Sequence, residues 1–261
     1  MTLLIESLEL TLSNRTVVQD ITLNVDPGEV VGLLGPNGAG KTSTFNMIVG
    51  FTKPSRGNIY LEGKCIKNFS MTKRVKLGIG YLSQEPSVFR NLTVRENLDI
   101  ALYHSGLSKS LCRKKRETMI DKFNLNSFID RYGYQLSGGE RRRCEVARAL
   151  AVGREGPKYL LLDEPFVGID PIAIYDIQNL IETLRESGMG ILITDHNVRE
   201  TLAITNRSYI ITEGRILRSG SSREVSNDPI VKKYYLGKNF QLWIIQYLIE
   251  IIKWEITTVN F

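Results

Sequence analysis

Apolar and polar positions along this chain fall into three regimes. Residues 3 to 25 alternate and turn as antiparallel strands do, with "LLIESLELTL" followed by "ITLNV" and the tight turn "DPGE". Val30 to Leu34 is instead apolar on both faces apart from Gly32, as befits a strand covered on both sides. Three further segments share that design and end abruptly in polar residues: "IGYLSQ" at Gln84, "YLLLDE" at Asp163 and Glu164, and "ILITDH" at Asp195 and His196. Between them, "TSTFNMIVG" and "PIAIYDIQNLIETLRES" repeat their apolar residues three and four apart, which predicts helices. Strands alternating with helices make an α/β protein with a parallel sheet, whose ligands sit beyond the carboxyl ends of the strands. Four strands should therefore deliver polar residues to one edge. Residues from about 92 to 140 form the third regime, helical and charged with no buried strand, an inserted helical subdomain.

The chemistry expected at that edge starts with Gly35 to Thr42, "GPNGAGKT", which satisfies G-x-x-x-x-G-K-[ST] between a predicted strand and a predicted helix. Gly35, Gly38 and Gly40 let successive N–H groups converge on phosphate oxygens at the positive end of a helix dipole. Lys41 would reach the β- and γ-phosphates and the Thr42 hydroxyl would bind Mg²⁺. With Pro36, Asn37, Ala39 and Ser43, these are the candidate nucleotide-binding residues. Asp163 can hold the magnesium shell, and Glu164, one residue on, can take the proton of an attacking water. Gln84 could touch both magnesium and water. His196 could bond the γ-phosphate or the water, whereas His104, inside the charged insert, receives no role.

Composition narrows the partners. A formal charge of +6 and a pI near 9.2 would suit nucleic acid or anionic lipid, but most charges alternate in sign, so no nucleic-acid partner is expected. The one cluster, "RKKRE" from Arg113 to Glu117, reads as a solvated helix face. With 42% apolar and 24% charged residues, the chain has the balance of a soluble globular protein. Cys65, Cys112 and Cys144 are far apart and read as ordinary thiols. No secretory signal opens the chain, and no stretch of roughly twenty apolar residues spans a membrane.

"LSGGE" at Leu136 to Glu140 raises a separate question. Ser137 and Glu140 make a capping box, but Gly138 and Gly139 also strip the helix start of side chains and open its N–H groups to an anion. The chain would then have two phosphate-seeking loops. Taken in order with the phosphate loop, Gln84, "LLLDEP", the "GID" of Gly168 to Asp170 and His196, this motif resembles the ATP-binding cassette ATPases over about residues 1 to 240. The resemblance implies a P-loop NTPase with a RecA-like parallel-sheet core, an N-terminal antiparallel β subdomain and a helical subdomain. It also implies a homodimer in which Ser137, Gly138 and Gly139 contact the ATP held by the partner, with ATP and Mg²⁺ as cofactors. One position departs from the family: where an aromatic usually stacks on adenine, the register places Leu12, which has no π-face.

Within the family, "GIGYLSQEPSVFRNLTVRENL", "LSGGERRRCEVARAL" and "LITDHNVRETL" are similar to the lipopolysaccharide-export ATPases. This implies separate integral membrane permease subunits that dock near Phe89 and Arg90. It places the chain on the inner face of the cytoplasmic membrane, or in a plastid stroma on lipid cargo if the gene is organellar. Branched-chain amino-acid importers and soluble iron–sulfur assembly ATPases are the alternatives. From 241 to 261 the resemblance stops, and "FQLWIIQYLIEIIKWEITTVNF" predicts an amphipathic helix over Trp243 to Trp254 that could lie in a membrane interface or pack on protein.

Overall fold

A computed structural model describes residues 2–103 and 105–242; His104 and the proposed helix over 243–254 lie outside them. Two sheets share the chain. The smaller runs in the order β2 (Arg15–Val25), β1 (Leu3–Leu12), β4 (Arg56–Leu61), β5 (Lys64–Cys65), all antiparallel. Its alternation slips once in each long strand, so that Leu3, Ile5, Leu8 and Leu10 of β1 and Val18, Ile21, Leu23 and Val25 of β2 are all buried. Ser7 and Asp20, at φ 45° and 54°, absorb the extra residue and keep the apolar side facing the core. Ser13 and Asn14, both with positive φ, join β1 to β2 in a two-residue hairpin that carries Leu12 at its shoulder, half exposed.

The larger sheet has six strands, in the order β10 (Arg215–Ser221), β9 (Arg207–Thr212), β3 (Val30–Leu34), β8 (Gly190–Thr194), β7 (Tyr159–Asp163), β6 (Ile79–Leu82). All pairs are parallel except the β9–β10 edge hairpin. Every residue of β3, β7 and β8 is buried. Side chains of these strands alternate between two cores. Val31, Leu33, Leu161 and Leu192 join the smaller sheet and α1 (Lys41–Val49), while Val30, Leu160, Leu162, Ile191 and Ile193 face helices on the other side. A continuous apolar run is thus explained by two covers rather than one.

Between β4 and β6, α2 (Met71–Lys76) carries Arg74, whose buried guanidinium donates to the Met47 and Ile48 carbonyls that α1 leaves open at its end. Residues 92–140 contain α3 (Val94–Tyr103), α4 (Lys109–Lys122) and two short 3₁₀ turns, and their apolar face merges with the second core through Leu98, Ile120, Phe123 and Phe128. "RKKRE" lies on α4, where Arg116 pairs with Asp99 at 2.7 Å. α5 (Gly138–Ala151) then returns the chain to the sheet, and α6 (Pro171–Glu186) and α7 (Val198–Ile204) cover the remaining crossovers. Among the described residues no helix is long and apolar enough to cross a membrane. The cysteines are all free thiols, with Cys144 buried and its pKa pushed up to about 12 by desolvation.

Candidate functional site

The carboxyl ends of β3, β8, β7 and β6 lie side by side, and each releases its polar residues at the same edge. β3 runs into the phosphate loop. Gly35 packs so tightly against the sheet that a Cβ there would sit 2.0 Å from the Ile211 carbonyl oxygen. Gly40, at φ 106°, turns the chain into α1 through a conformation that side chains disfavour. Pro36, Asn37 and Gly38 form the exposed crest of the loop, Ala39 lies beneath it, and Thr42 and Ser43 open α1 with the Thr42 side exposed. Lys41 is buried, and its ammonium group donates to the Gly35 and Pro36 carbonyls at 2.7 and 3.0 Å. Burial pushes its pKa down, against the charges of Glu164 and Asp163.

Glu164 is the centre of the edge. Its carboxylate is buried and accepts Gln84 Nε2 on Oε2 at 2.7 Å, while His196 Nε2 lies 2.7 Å from Oε1. Gln84 comes from the end of β6 and His196 from the end of β8, so three strands meet on one acid. The Glu164 backbone is left-handed at φ 51°, and its N–H donates to the Thr194 carbonyl of β8 at 2.8 Å. Asp163 lies below it. One carboxylate oxygen sits 3.4 Å from the Tyr81 hydroxyl, and the other is buried without a hydrogen-bond partner. Burial first, and then the charge of Glu164, push the Asp163 pKa up to about 6.

An open cleft of about 330 Å³ gathers Asn37, Gly38, Gly40, Lys41, Thr42, Ser43, Gln84, Glu164 and His196, with Val17 on its wall. The volume is within the range of small-molecule sites. Nine sequence-predicted residues therefore line one cavity. Ser137, Gly138 and Gly139 do not. Ser137 and Gly139 line a separate cleft with Glu140 and Asp170, which contains no residue of the phosphate loop. There the capping box is formed, with Glu140 N–H donating to Ser137 Oγ at 3.2 Å and Ser137 N–H to Glu140 Oε2 at 2.9 Å. The two glycines also have an intrachain reason: a Cβ on Gly138 would come within 2.9 Å of the Gly168 carbonyl, and one on Gly139 within 2.6 Å of Ala173 Cβ.

Three polar residues behind the edge have no role predictable from sequence. Asp195, buried at the end of β8, accepts the Phe166 and Asn197 N–H groups at 2.8 Å each and ties the β8 end to the segment after Glu164. Arg142 and Glu145, both buried on α5, bond to each other at 3.1 Å. Their spacing of three on a helix is the available signal, but "ERRRCE" reads equally as a solvated charged face.

Similarity to known proteins agrees with this geometry. The family model for "ABC transporter" matches residues 18–167. The chain is 49% identical over 237 residues to the "Lipopolysaccharide export system ATP-binding protein LptB" of Acidithiobacillus ferridurans, covering 91% of this chain and 97% of that protein. It is 47% identical to the protein of the same description in Escherichia coli K12, covering 92% and 99%. Among solved structures, the ADP conformation of MJ1267, "an ATP-binding cassette of an ABC transporter", superposes with a TM-score of 0.81 at 28% identity, covering 91% of this chain and all of that one. A dimeric post-hydrolysis state of the cassette MJ0796 with ADP and phosphate superposes with a TM-score of 0.73 at 25% identity, covering 85% and 99%.

Proposed function

The chain belongs to the ABC transporter family, and from that premise we propose that it is the ATP-hydrolysing subunit of a lipopolysaccharide-export transporter. Identity of 47–49% to export ATPases, over more than nine-tenths of the chain, carries this reading ahead of an importer or an iron–sulfur assembly ATPase.

ATP sits in the cleft with its phosphates on the loop from Gly35 to Ser43, where backbone N–H groups and the α1 dipole favour anions. Lys41 exchanges the Gly35 and Pro36 carbonyls for phosphate oxygens. The orphaned Asp163 oxygen and the exposed Thr42 hydroxyl are suited to Mg²⁺, a hard cation that typically takes one or two protein oxygens together with substrate phosphates. When bound, Mg²⁺ neutralises developing phosphate charge. Glu164 takes a proton from the attacking water, His196 orients that carboxylate and meets the γ-phosphate, and Gln84 links the water to the segment that leads outward to Phe89. General-base assistance of this type contributes roughly 10²–10⁴-fold.

The signature residues Ser137, Gly138 and Gly139 lie in a separate cleft, and a homodimer places them on the partner's nucleotide. The dimeric MJ0796 neighbour supports a dimer. Residues 1–240 make up the ATPase unit, with its helical subdomain at about 92–140. Phe89 and Arg90, both exposed, receive a cytoplasmic segment of an integral membrane permease, which keeps the protein peripheral on the inner face of the cytoplasmic membrane.

Purification of tagged Glu164→Gln protein in mild detergent with ATP, followed by mass spectrometry, tests the reading. Recovery of a lipopolysaccharide-export permease pair is expected; recovery of a permease of another class would change the cargo, and soluble assembly factors alone would overturn the transporter assignment.

A further inference from the structure

The guanidinium of Arg142 has five N–H donors, and all five are used. Nε donates to the Pro165 carbonyl at 3.2 Å, one terminal nitrogen to the Ser83 carbonyl at 2.9 Å and Glu145 Oε2 at 3.1 Å, and the other to the Asp163 and Glu164 carbonyls at 3.2 and 3.1 Å. Four of these acceptors are main-chain oxygens from two strand ends. Ser83 directly precedes Gln84, and Glu164 itself supplies another. In its left-handed turn the Glu164 carbonyl accepts the Val167 N–H only at 3.4 Å, and Arg142 supplies the shorter contact.

Glu145 continues the arrangement one turn along α5. Its Oε1 accepts the Ser87 N–H at 2.7 Å and the Val88 N–H at 3.3 Å. Arg148, three residues further, donates to the Ser87 carbonyl at 2.5 Å and lies over the Phe89 ring at 4.8 Å. One face of a helix therefore holds both ends of the segment from Ser83 to Phe89, at Ser83 and at Ser87, Val88 and Phe89. Stability alone does not call for this, because a buried ion pair can often be replaced by well-packed apolar side chains at no loss. What the pair adds is the position of particular peptides.

We propose that Arg142, held by Glu145, is a positioning residue that fixes the backbone of both Gln84 and Glu164 from the helix that begins at Ser137. The inference rests on the assignment of Glu164 and Gln84 to ATP hydrolysis. It makes α5 serve two nucleotides, one through its first residues on the partner and one through Arg142 within the same chain.

The test compares steady-state ATP turnover with binding of a fluorescent ATP analogue in the full-length protein. Arg142→Lys, which keeps charge but offers three donors on a single nitrogen in place of a planar five-donor fork, is expected to lose at least about tenfold in kcat with ATP affinity within about twofold of wild type. Arg142→Met strips every donor and leaves buried Glu145 without its cation, so it is expected to lose at least as much kcat and to lower Tm as well. Turnover within about twofold of wild type in either variant, or a parallel loss of kcat and ATP binding, would overturn the proposal. Should the arginine variants fail to fold, the isosteric Glu145→Gln decides: a fall in kcat of about threefold or more at unchanged ATP affinity supports the positioning role, and unchanged kcat removes it. Glu164→Gln is run alongside. If it turns over ATP at the wild-type rate, the base assignment falls and this inference with it; if it is inactive while the Arg142 variants are not, the positioning role alone is lost.

Discussion

His196 Nε2 lies 2.7 Å from Glu164 Oε1, although the two residues end different strands. With Gln84 on the other oxygen, the acid is oriented from both sides. Glu164→Gln should preserve this geometry while removing the basic oxygen. ATP turnover is expected to fall by about 10²-fold or more with ATP binding retained, and ATP-loaded protein should accumulate as a dimer. Phosphate release and light scattering check this; a fully active variant, or one that stays monomeric at saturating ATP and Mg²⁺, contradicts the mechanism.

Asp163 predicts an unusual pH response. Its folded pKa, about 6 against an ordinary 3.8, means that the folded protein holds this proton more tightly than the unfolded chain. Stability therefore declines as pH rises from 3.8 towards 6 and stays lowered above that window. Asp163→Asn should stabilise the protein by about 2–3 kcal/mol at neutral pH, with the gain shrinking towards pH 4. Urea unfolding without nucleotide or divalent metal measures it, and an equal effect at both pH values would count against a buried carboxylate charge as the cause.

Leu12 sits at the shoulder of the β1–β2 hairpin, half exposed, where it can offer a purine area but no ring face. Comparable affinities for ATP and GTP are expected, and Leu12→Tyr should raise ATP affinity severalfold, in line with about 0.5–1.5 kcal/mol for aromatic contact. Titration with both nucleotides is sufficient. A strong ATP preference in the wild type would show that adenine is held elsewhere.

Gly35 leaves no room for a methyl group beside the Ile211 carbonyl. Gly35→Ala should destabilise the fold by about 1–3 kcal/mol, the usual cost of overpacking, and weaken ATP binding by displacing the loop. Thermal unfolding and nucleotide titration together check both halves; a variant that keeps wild-type Tm and affinity would show that the strand–loop junction yields easily.

The site is more legible in the sequence than the scaffold behind it. Gln84, Glu164 and His196 each end an apolar run, and a strand buried on both faces announces where it stops. Arg142 and Glu145 give no such sign, because a charged helix face and a buried clamp share one composition until the strands it grips are known. The signature glycines are legible as a helix start, but their contacts with Gly168 and Ala173 depend on where α6 lies. The β9–β10 hairpin escapes a sequence pattern for another reason: Arg207 and Arg215 open its strands with charge, while the burial that makes β9 a parallel partner of β3 comes from distant chain.

That last pairing bears on how the protein is made. Val30 pairs with Ile191 and Val31 with Arg207, so both neighbours of the strand that carries the phosphate loop come from late in synthesis. The loop leaves the ribosome early but lacks its flanking strands until the chain has emerged through Thr212. Contacts so distant in sequence form slowly, and apolar β3 must be kept from wrong partners while it waits. Nascent chains that stop before β9 should be clients of holding chaperones, and ATP cannot help them fold.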